Sequence, residues 1–125
     1  MNKIVLFAPV GYRVLTPEEK FEICNACGAK GGFPVPNTFY GLDISEACNI
    51  HDFMYFVGKT LADKMEADRV FLNNLIRIID ARTSVYILKK LRYRRAKTYF
   101  EFVDIYGASA YWKDKNLPEN MMIAS

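Results

Sequence analysis

Between residues 60 and 80 the apolar positions Val70, Leu72, Leu75, Ile76 and Ile79 recur at helical spacing and do not alternate. Thr60 with Asp63 has the form of a capping box, so the pattern predicts a long helix from Thr60 to about Asp80. A second stripe, Leu88, Leu91, Tyr99, Phe102 and Tyr106, predicts another long helix that starts at Thr83 or Ser84 and ends near Gly107. Arg95 falls within that stripe and needs a buried partner or a route for its tip to water. Upstream, Thr16-Pro17-Glu18-Glu19 has the residue types of a helix start, and a short helix is predicted to about Ile23. Asp43 or Ser45 can cap a further helix that stops at Gly58. Between these two, residues 24–42 carry Gly28, Gly31, Gly32, Pro34, Pro36 and Gly41, and regular structure is not expected there. A loop this long inside a small domain is usually functional or disordered. Residues 1–15 read as an extended arm, and residues 113–125, polar and containing Pro118, as a loose tail. The expected fold class is all-α: two long antiparallel helices plus a third long helix, with a Gly/Pro-rich loop packed over one end.

With 125 residues, 51% hydrophobic and 25% charged, residues 1–125 form one domain able to bury a core without depending on disulfides. The net charge of +3 is too mild to argue for nucleic acid, which is not expected as a partner. No apolar run approaches a membrane span, and the run from Ile4 to Val10 is short for a signal segment, so a cytoplasmic setting is expected, with export as the alternative.

The chemistry concentrates in Cys48-Asn49-Ile50-His51-Asp52-Phe53-Met54-Tyr55. The single histidine sits three residues after a cysteine, beside a carboxylate and four before a tyrosine. Helical spacing puts Cys48, His51, Asp52 and Tyr55 on neighbouring parts of one face: a tether, a base, a carboxylate and a phenol. A histidine alone on a helix is more often structural than catalytic, and it is the combination that carries weight. A second reading uses the same residues. Cys24-x-x-Cys27 followed by Cys48-x-x-His51 has the spacing of a Cys₃His zinc site, which would use every cysteine and leave no odd thiol. It leaves Asp52, Tyr55, Asp68 and the glycine-rich loop without a role. A third feature is the cationic run from Lys89 to Lys97. Its Lys89, Lys90, Arg94 and Lys97 share one side of a helix and could meet anionic lipid headgroups; the plainer reading is a solvated face. No P-loop, dinucleotide fingerprint or nucleophile-elbow serine is present.

Cys27-Gly28, the Gly31-Gly32 loop, Cys48-x-x-His51-Asp52-x-x-Tyr55 and Asp68 in Glu66-Ala67-Asp68-Arg69 follow one another in an order that resembles the phospholipase A2 superfamily, and more its compact bacterial and fungal members than the disulfide-dense animal enzymes. Tyr106-Gly107-Ala108-Ser109-Ala110-Tyr111 is similar to the family's ending of the last helix. The likeness spans roughly residues 24–111 and is specific over Gly41 to Tyr55. It implies calcium-dependent hydrolysis of an acyl ester in a glycerophospholipid, with a phospholipid or membrane surface as partner. His51 would be the general base, Asp68 its orienting partner and Tyr55 a support for Asp68. Asp52 would be the main Ca²⁺ ligand, helped by loop carbonyls of Ala26, Gly28 and either Lys30 or Gly31, with Asn25 the nearest additional side chain. The Gly28 N–H would help hold the oxyanion. A Cys27–Cys48 bridge would match the family and leave Cys24 free. Phe33, Phe39 and Phe53 are candidates for lining an acyl channel, although core packing is the commoner role of each. The sequence departs from the family's pattern in a calcium loop one residue longer than in the animal enzymes and in Met54, where those carry a cysteine. The alternatives are a structural-zinc domain with Zn²⁺ on Cys24, Cys27, Cys48 and His51, or a non-catalytic module on the same fold that binds anionic membranes.

Overall fold

A computed structural model describes residues 4–28, 35–113 and 115. The described residues are mainly helical: α1 (Val10–Arg13), α2 (Pro17–Ile23), α3 (Ser45–Val57), α4 (Leu61–Arg82), α5 (Tyr86–Tyr106) and α6 (Ala108–Trp112), with a two-stranded hairpin, β1 (Thr38–Phe39) and β2 (Leu42–Asp43), before α3. No helix among the described residues is long and apolar enough to cross a membrane.

Capping sets the helix starts. Thr16 and Glu19 form a reciprocal capping box with Pro17 in the first turn of α2. Thr60 and Asp63 form the same box at the start of α4. Asp43 accepts hydrogen bonds from the Ser45 N–H at 2.9 Å and from its hydroxyl at 2.6 Å, which fixes the entry to α3. Helix α4 lies in the middle, with α3 packed on one side and α5 on the other. Both neighbours run antiparallel to it, since Lys64 near the start of α4 reaches Val103 near the end of α5 and Thr83 just past α4 meets Arg92. Phe71, Leu75, Ile78 and Ile79 of α4 are buried against Ile50 and Phe53 of α3, Ala96 of α5 and the hairpin residues Phe39 and Leu42.

Four details differ from the sequence pattern. Residues 38–43, expected to be irregular, form an antiparallel hairpin in which Thr38 faces Asp43 and Phe39 faces Leu42. Its two turn residues, Tyr40 and Gly41, both have positive φ (49° and 83°), as a tight two-residue hairpin turn requires. Gly41 marks that turn in the sequence; Tyr40, a residue that resists positive φ, hides it. The extended arm contains the single turn α1, and its strand-like part is clamped by the fully buried Asn74, which accepts from the Phe7 N–H and donates to the Phe7 carbonyl, each at 2.8 Å. Helix α5 starts at Tyr86 because Thr83 turns its hydroxyl toward Arg92 and does not cap. Its inward line is Arg92 and Ala96, with Tyr99 and Val103 half-buried, whereas Phe102, Tyr106 and Arg95 face outward. The buried cation of α5 is therefore Arg92, each of whose three guanidinium nitrogens donates one bond, to Phe39 O, Thr83 Oγ1 and Tyr40 O, at 2.7 to 2.9 Å. Of the tail, Lys115 is described and donates to the Tyr55 carbonyl; the rest beyond Lys113 lies outside the described residues.

Gly107 lets α5 pass directly into α6. A Cβ there would lie 2.5 Å from Tyr55 Oη and closer still to the Val103 carbonyl oxygen. Gly107→Ala is therefore expected to lower stability by about 1–3 kcal/mol through overpacking, read as a reduced midpoint in urea. An unchanged midpoint would show that both the Tyr55 phenol and the end of α5 can shift without cost.

Candidate active site

The site is built on the facing sides of α3 and α4. His51, one and a half turns into α3, is 6% exposed, its ring between Tyr55 and Phe71 with centroid separations of 4.1 and 4.6 Å. Its Nε2 lies 2.8 Å from Oδ1 of Asp68 on α4. The Tyr55 hydroxyl donates to the same oxygen at 2.7 Å, and the Lys64 ammonium donates to Oδ2 at 2.8 Å. Asp68 is 1% exposed and spends both oxygens on these three donors.

This pattern fixes the imidazole tautomer. An ionised carboxylate only accepts, so Nε2 must carry the proton and Nδ1 the lone pair. Among the described residues no fully buried side-chain nitrogen or oxygen lacks a partner. Among the described residues Nδ1 has no partner, so its lone pair is unspent there. Burial holds the imidazole below its ordinary value, against the raising effect of Asp68, so it is neutral near pH 7. For Asp68, burial raises the carboxyl, but the hydrogen bonds from His51, Lys64 and Tyr55 outweigh it and hold the group below the usual carboxylate range. Burial and the Asp68 charge push the Tyr55 phenol far up, so it remains a donor. A neutral base with one free nitrogen, oriented by a permanently ionised acid, can accept a proton from water.

On the outer side of α3, Asn49 and Asp52 hold the segment that follows α2. Asp52 Oδ2 accepts from the Asn25 N–H at 2.7 Å, Asn49 Oδ1 from the Ala26 N–H at 2.9 Å, and Asn37 Oδ1 from the Cys27 N–H at 3.0 Å. Three successive amides are thus tied by three side chains. Ala26 is held at φ 50°, in the left-handed region. Cys27 is bridged to Cys48 on α3, and the Asn25 side-chain amide donates to the Gly28 carbonyl. Asp52 is half-buried and has no Lys, Arg or His partner among the described residues. Burial pushes its carboxyl up to about 7, with the Asn25 N–H acting the other way.

The structure thus brings His51, Asp68 and Tyr55 together and ties Asn25 to Asp52, whereas Ala26 is tied to Asn49 and the Gly28 carbonyl to the Asn25 side chain. Asn25 is turned into the loop by its bond to Gly28. Gly31 and Lys30 lie outside the described residues, as does Phe33. Phe39 and Phe53 are buried in the core, edge-on to Tyr99 and Tyr12 at 4.7 and 5.8 Å. The four-residue zinc set is not assembled: the Cys27 and Cys48 sulfurs are bonded to each other, His51 Nε2 faces Asp68, and Cys24 donates to the Asn49 carbonyl. No group of three or more His, Cys, Asp or Glu side chains that could hold a metal occurs among the described residues. Lys64, Asn49 and Asn37 escaped the sequence reading. Lys64 stands at i,i+4 spacing from Asp68 and Asn49 at i,i+3 from Asp52, so both had a helical signal; Asn37, in the loop, had none.

Thiol chemistry separates bridge from zinc site. Cys24 is buried and its thiol is pushed up to about 11 by burial and then by Asp52. Near pH 8 only about one molecule in a thousand would carry the thiolate, so the native chain is expected to be inert to a thiol-reactive dye. Unfolded without reductant it should show one thiol, and with reductant three. Three thiols without reductant would remove the bridge.

Comparison with protein-family models, with curated proteins and with solved structures finds no match to this chain.

Proposed function

We propose that this chain is a calcium-assisted hydrolase of acyl esters in glycerophospholipids, of the phospholipase A2 type that its motifs resemble. The observation that carries the reading is the relay from Tyr55 and Lys64 through Asp68 to His51, with one ring nitrogen left for water. His51 Nδ1 takes the proton from a water molecule as that water attacks the ester carbonyl, and returns it to the departing alkoxide. Asp68 keeps Nε2–H in place and stabilises the imidazolium while it lasts. Tyr55 and Lys64 keep Asp68 ionised and in position.

The donor chemistry beside the relay suits a hard cation. Asp52 is a half-buried carboxylate with no cation paired to it among the described residues, and its tie to the Asn25 N–H holds it next to a segment whose backbone oxygens are the ligand type Ca²⁺ takes. Asp52 would be the main ligand, with carbonyls of the Ala26 and Gly28 segment completing the set. Bound Ca²⁺ would polarise the ester carbonyl and offset the charge that develops on its oxygen. One carboxylate makes a weak site, of the kind that works at about 10⁻⁴–10⁻³ M calcium outside cells. The Cys27–Cys48 bridge suits the same oxidising setting, so the proposal takes the exported alternative that the sequence left open. A cleft of about 570 Å³ is lined by Phe7, Ala8, Pro9, Met54 and Val70 on its apolar side and by Glu66, Arg69 and Asn73 on its polar side; its apolar side would take the acyl chain.

Phospholipid vesicles, calcium and a free-fatty-acid assay test the proposal. Hydrolysis is expected to stop when calcium is chelated and to return when it is restored. Asp52→Asn is expected to weaken calcium binding by tenfold or more, roughly the worth of a charged ligand contact. Hydrolysis that is indifferent to both would separate the His51 relay from any metal; no hydrolysis in calcium would overturn the reading.

A further inference from the structure

The hydrolase reading leaves the cationic run of α5 without a task, and the structure sorts its members. Lys89 lies 4.0 Å from Asp80, Lys97 lies 3.9 Å from Glu101, and Lys90 sits over the Tyr86 ring at 5.9 Å. Arg92 is buried and donates from all three guanidinium nitrogens. Arg94 and Arg95 remain. Both are exposed, and among the described residues no carboxylate is in ion-pair range of either.

These two arginines share a cleft of about 210 Å³ with Tyr40, Leu91 and Thr98. One wall is α5; the other is the tip of the hairpin. That tip is held in a costly conformation: Tyr40 has φ 49°, its carbonyl accepts from Arg92 at 2.7 Å, and its ring lies 5.6 Å from the Arg95 guanidinium. A non-glycine residue kept at positive φ by a buried arginine is over-determined, a condition that recurs at ligand sites. The hairpin wall is therefore pre-formed, and two planar guanidiniums line the cleft with no carboxylate in ion-pair range among the described residues.

We propose that this cleft binds a phosphoryl group, as a phosphate monoester or diester, through the guanidiniums of Arg94 and Arg95. Guanidinium forks match phosphate oxygens in pairs, which ammonium groups do not. The volume lies below the about 300 Å³ at which sites for whole small molecules begin, so it suits a phosphate or a lipid headgroup and not an acyl chain. A nucleic-acid strand would need a continuous cationic track; here Asp80 and Glu101 interrupt it on both sides. The proposal does not depend on hydrolysis.

The test uses the full chain with calcium chelated, so that any lipid stays intact. Inorganic phosphate is titrated at constant ionic strength while the Arg94 and Arg95 Nε signals are followed by NMR. Sedimentation with phosphatidylcholine vesicles, with and without phosphatidylglycerol, runs in parallel. The double variant Arg94→Gln/Arg95→Gln is compared with Lys89→Gln/Lys97→Gln, which loses the same charge. A saturable phosphate response, weakened about tenfold or more by the arginine pair and kept in the lysine pair, supports a site for free phosphate compounds. No response to phosphate, but phosphatidylglycerol-dependent sedimentation with the same variant pattern, assigns the ligand to a lipid headgroup. Absence of both responses, or variants that behave alike, overturns the proposal.

Discussion

Replacing His51 by glutamine is expected to lower the rate of calcium-supported phospholipid hydrolysis by about 10²–10⁴-fold, the usual worth of a general base, with little change in the thermal midpoint. Glutamine is the informative choice. Its amide nitrogen can still donate toward Asp68 Oδ1, which now receives His51 at 2.8 Å, so the acid is not left short of a donor. Its side chain also fills part of the space between Tyr55 and Phe71. What it cannot do is take a proton at Nδ1. Alanine would confuse the result, because it removes the base, opens a cavity and strands part of Asp68 at once. The measurement is initial rate on vesicles at saturating calcium, with melting curves of both proteins alongside. A rate within a factor of a few of the parent would move the base away from His51 and leave the relay as a structural network.

What could be read from the sequence divides along physical lines. Local signals carried well. The Thr16 and Thr60 caps, the stop at Gly58 and the span of α4 all follow from interactions within a few residues, and all appear in the fold. The meeting of His51 with Asp68 was implied by the family resemblance, and the short connection between two antiparallel helices makes a contact seventeen residues apart geometrically reasonable. Non-local effects were illegible. The face of α5 depends on what its neighbours offer: a buried arginine with three acceptors from the hairpin and Thr83 outcompeted the apolar Phe102 and Tyr106 for the interior. The hairpin itself depends on Arg92 holding Tyr40 in a conformation that tyrosine resists. The odd cysteine looked like a reason for zinc. It is instead a buried thiol bonded to the Asn49 carbonyl, a contact between residues twenty-five apart.

The largest stability effect is expected at Lys64. Its side chain is 5% exposed and that of Asp68 is 1% exposed, with Nζ and Oδ2 at 2.8 Å, and the ammonium also reaches the Val103 carbonyl at 3.2 Å. Removing one member of such a buried pair leaves an uncompensated charge and costs about 3–5 kcal/mol. Lys64→Met keeps most of the volume, so this cost would be electrostatic. Adding Asp68→Asn should restore part of it, because the stranded charge is then gone; urea titrations of both single variants and the double variant would expose that coupling. The pH dependence has a definite sign. Asp68 is held below the ordinary carboxylate range in the folded chain, so the stabilisation it carries is complete above an unfolded value of about 3.9. It is lost as pH falls through the lower folded value. Without Lys64 one of the bonds that depress Asp68 is missing, so in Lys64→Met the loss still begins at the unfolded value but is smaller and complete at a higher pH. Hydrolysis should fall less than in His51→Gln, since His51 and Tyr55 still hold Oδ1. If Lys64→Met were as stable as the parent at neutral pH, the ammonium would be solvated and not paired. Tyr55 and His51 alone would then position the acid, and the relay would begin at the phenol.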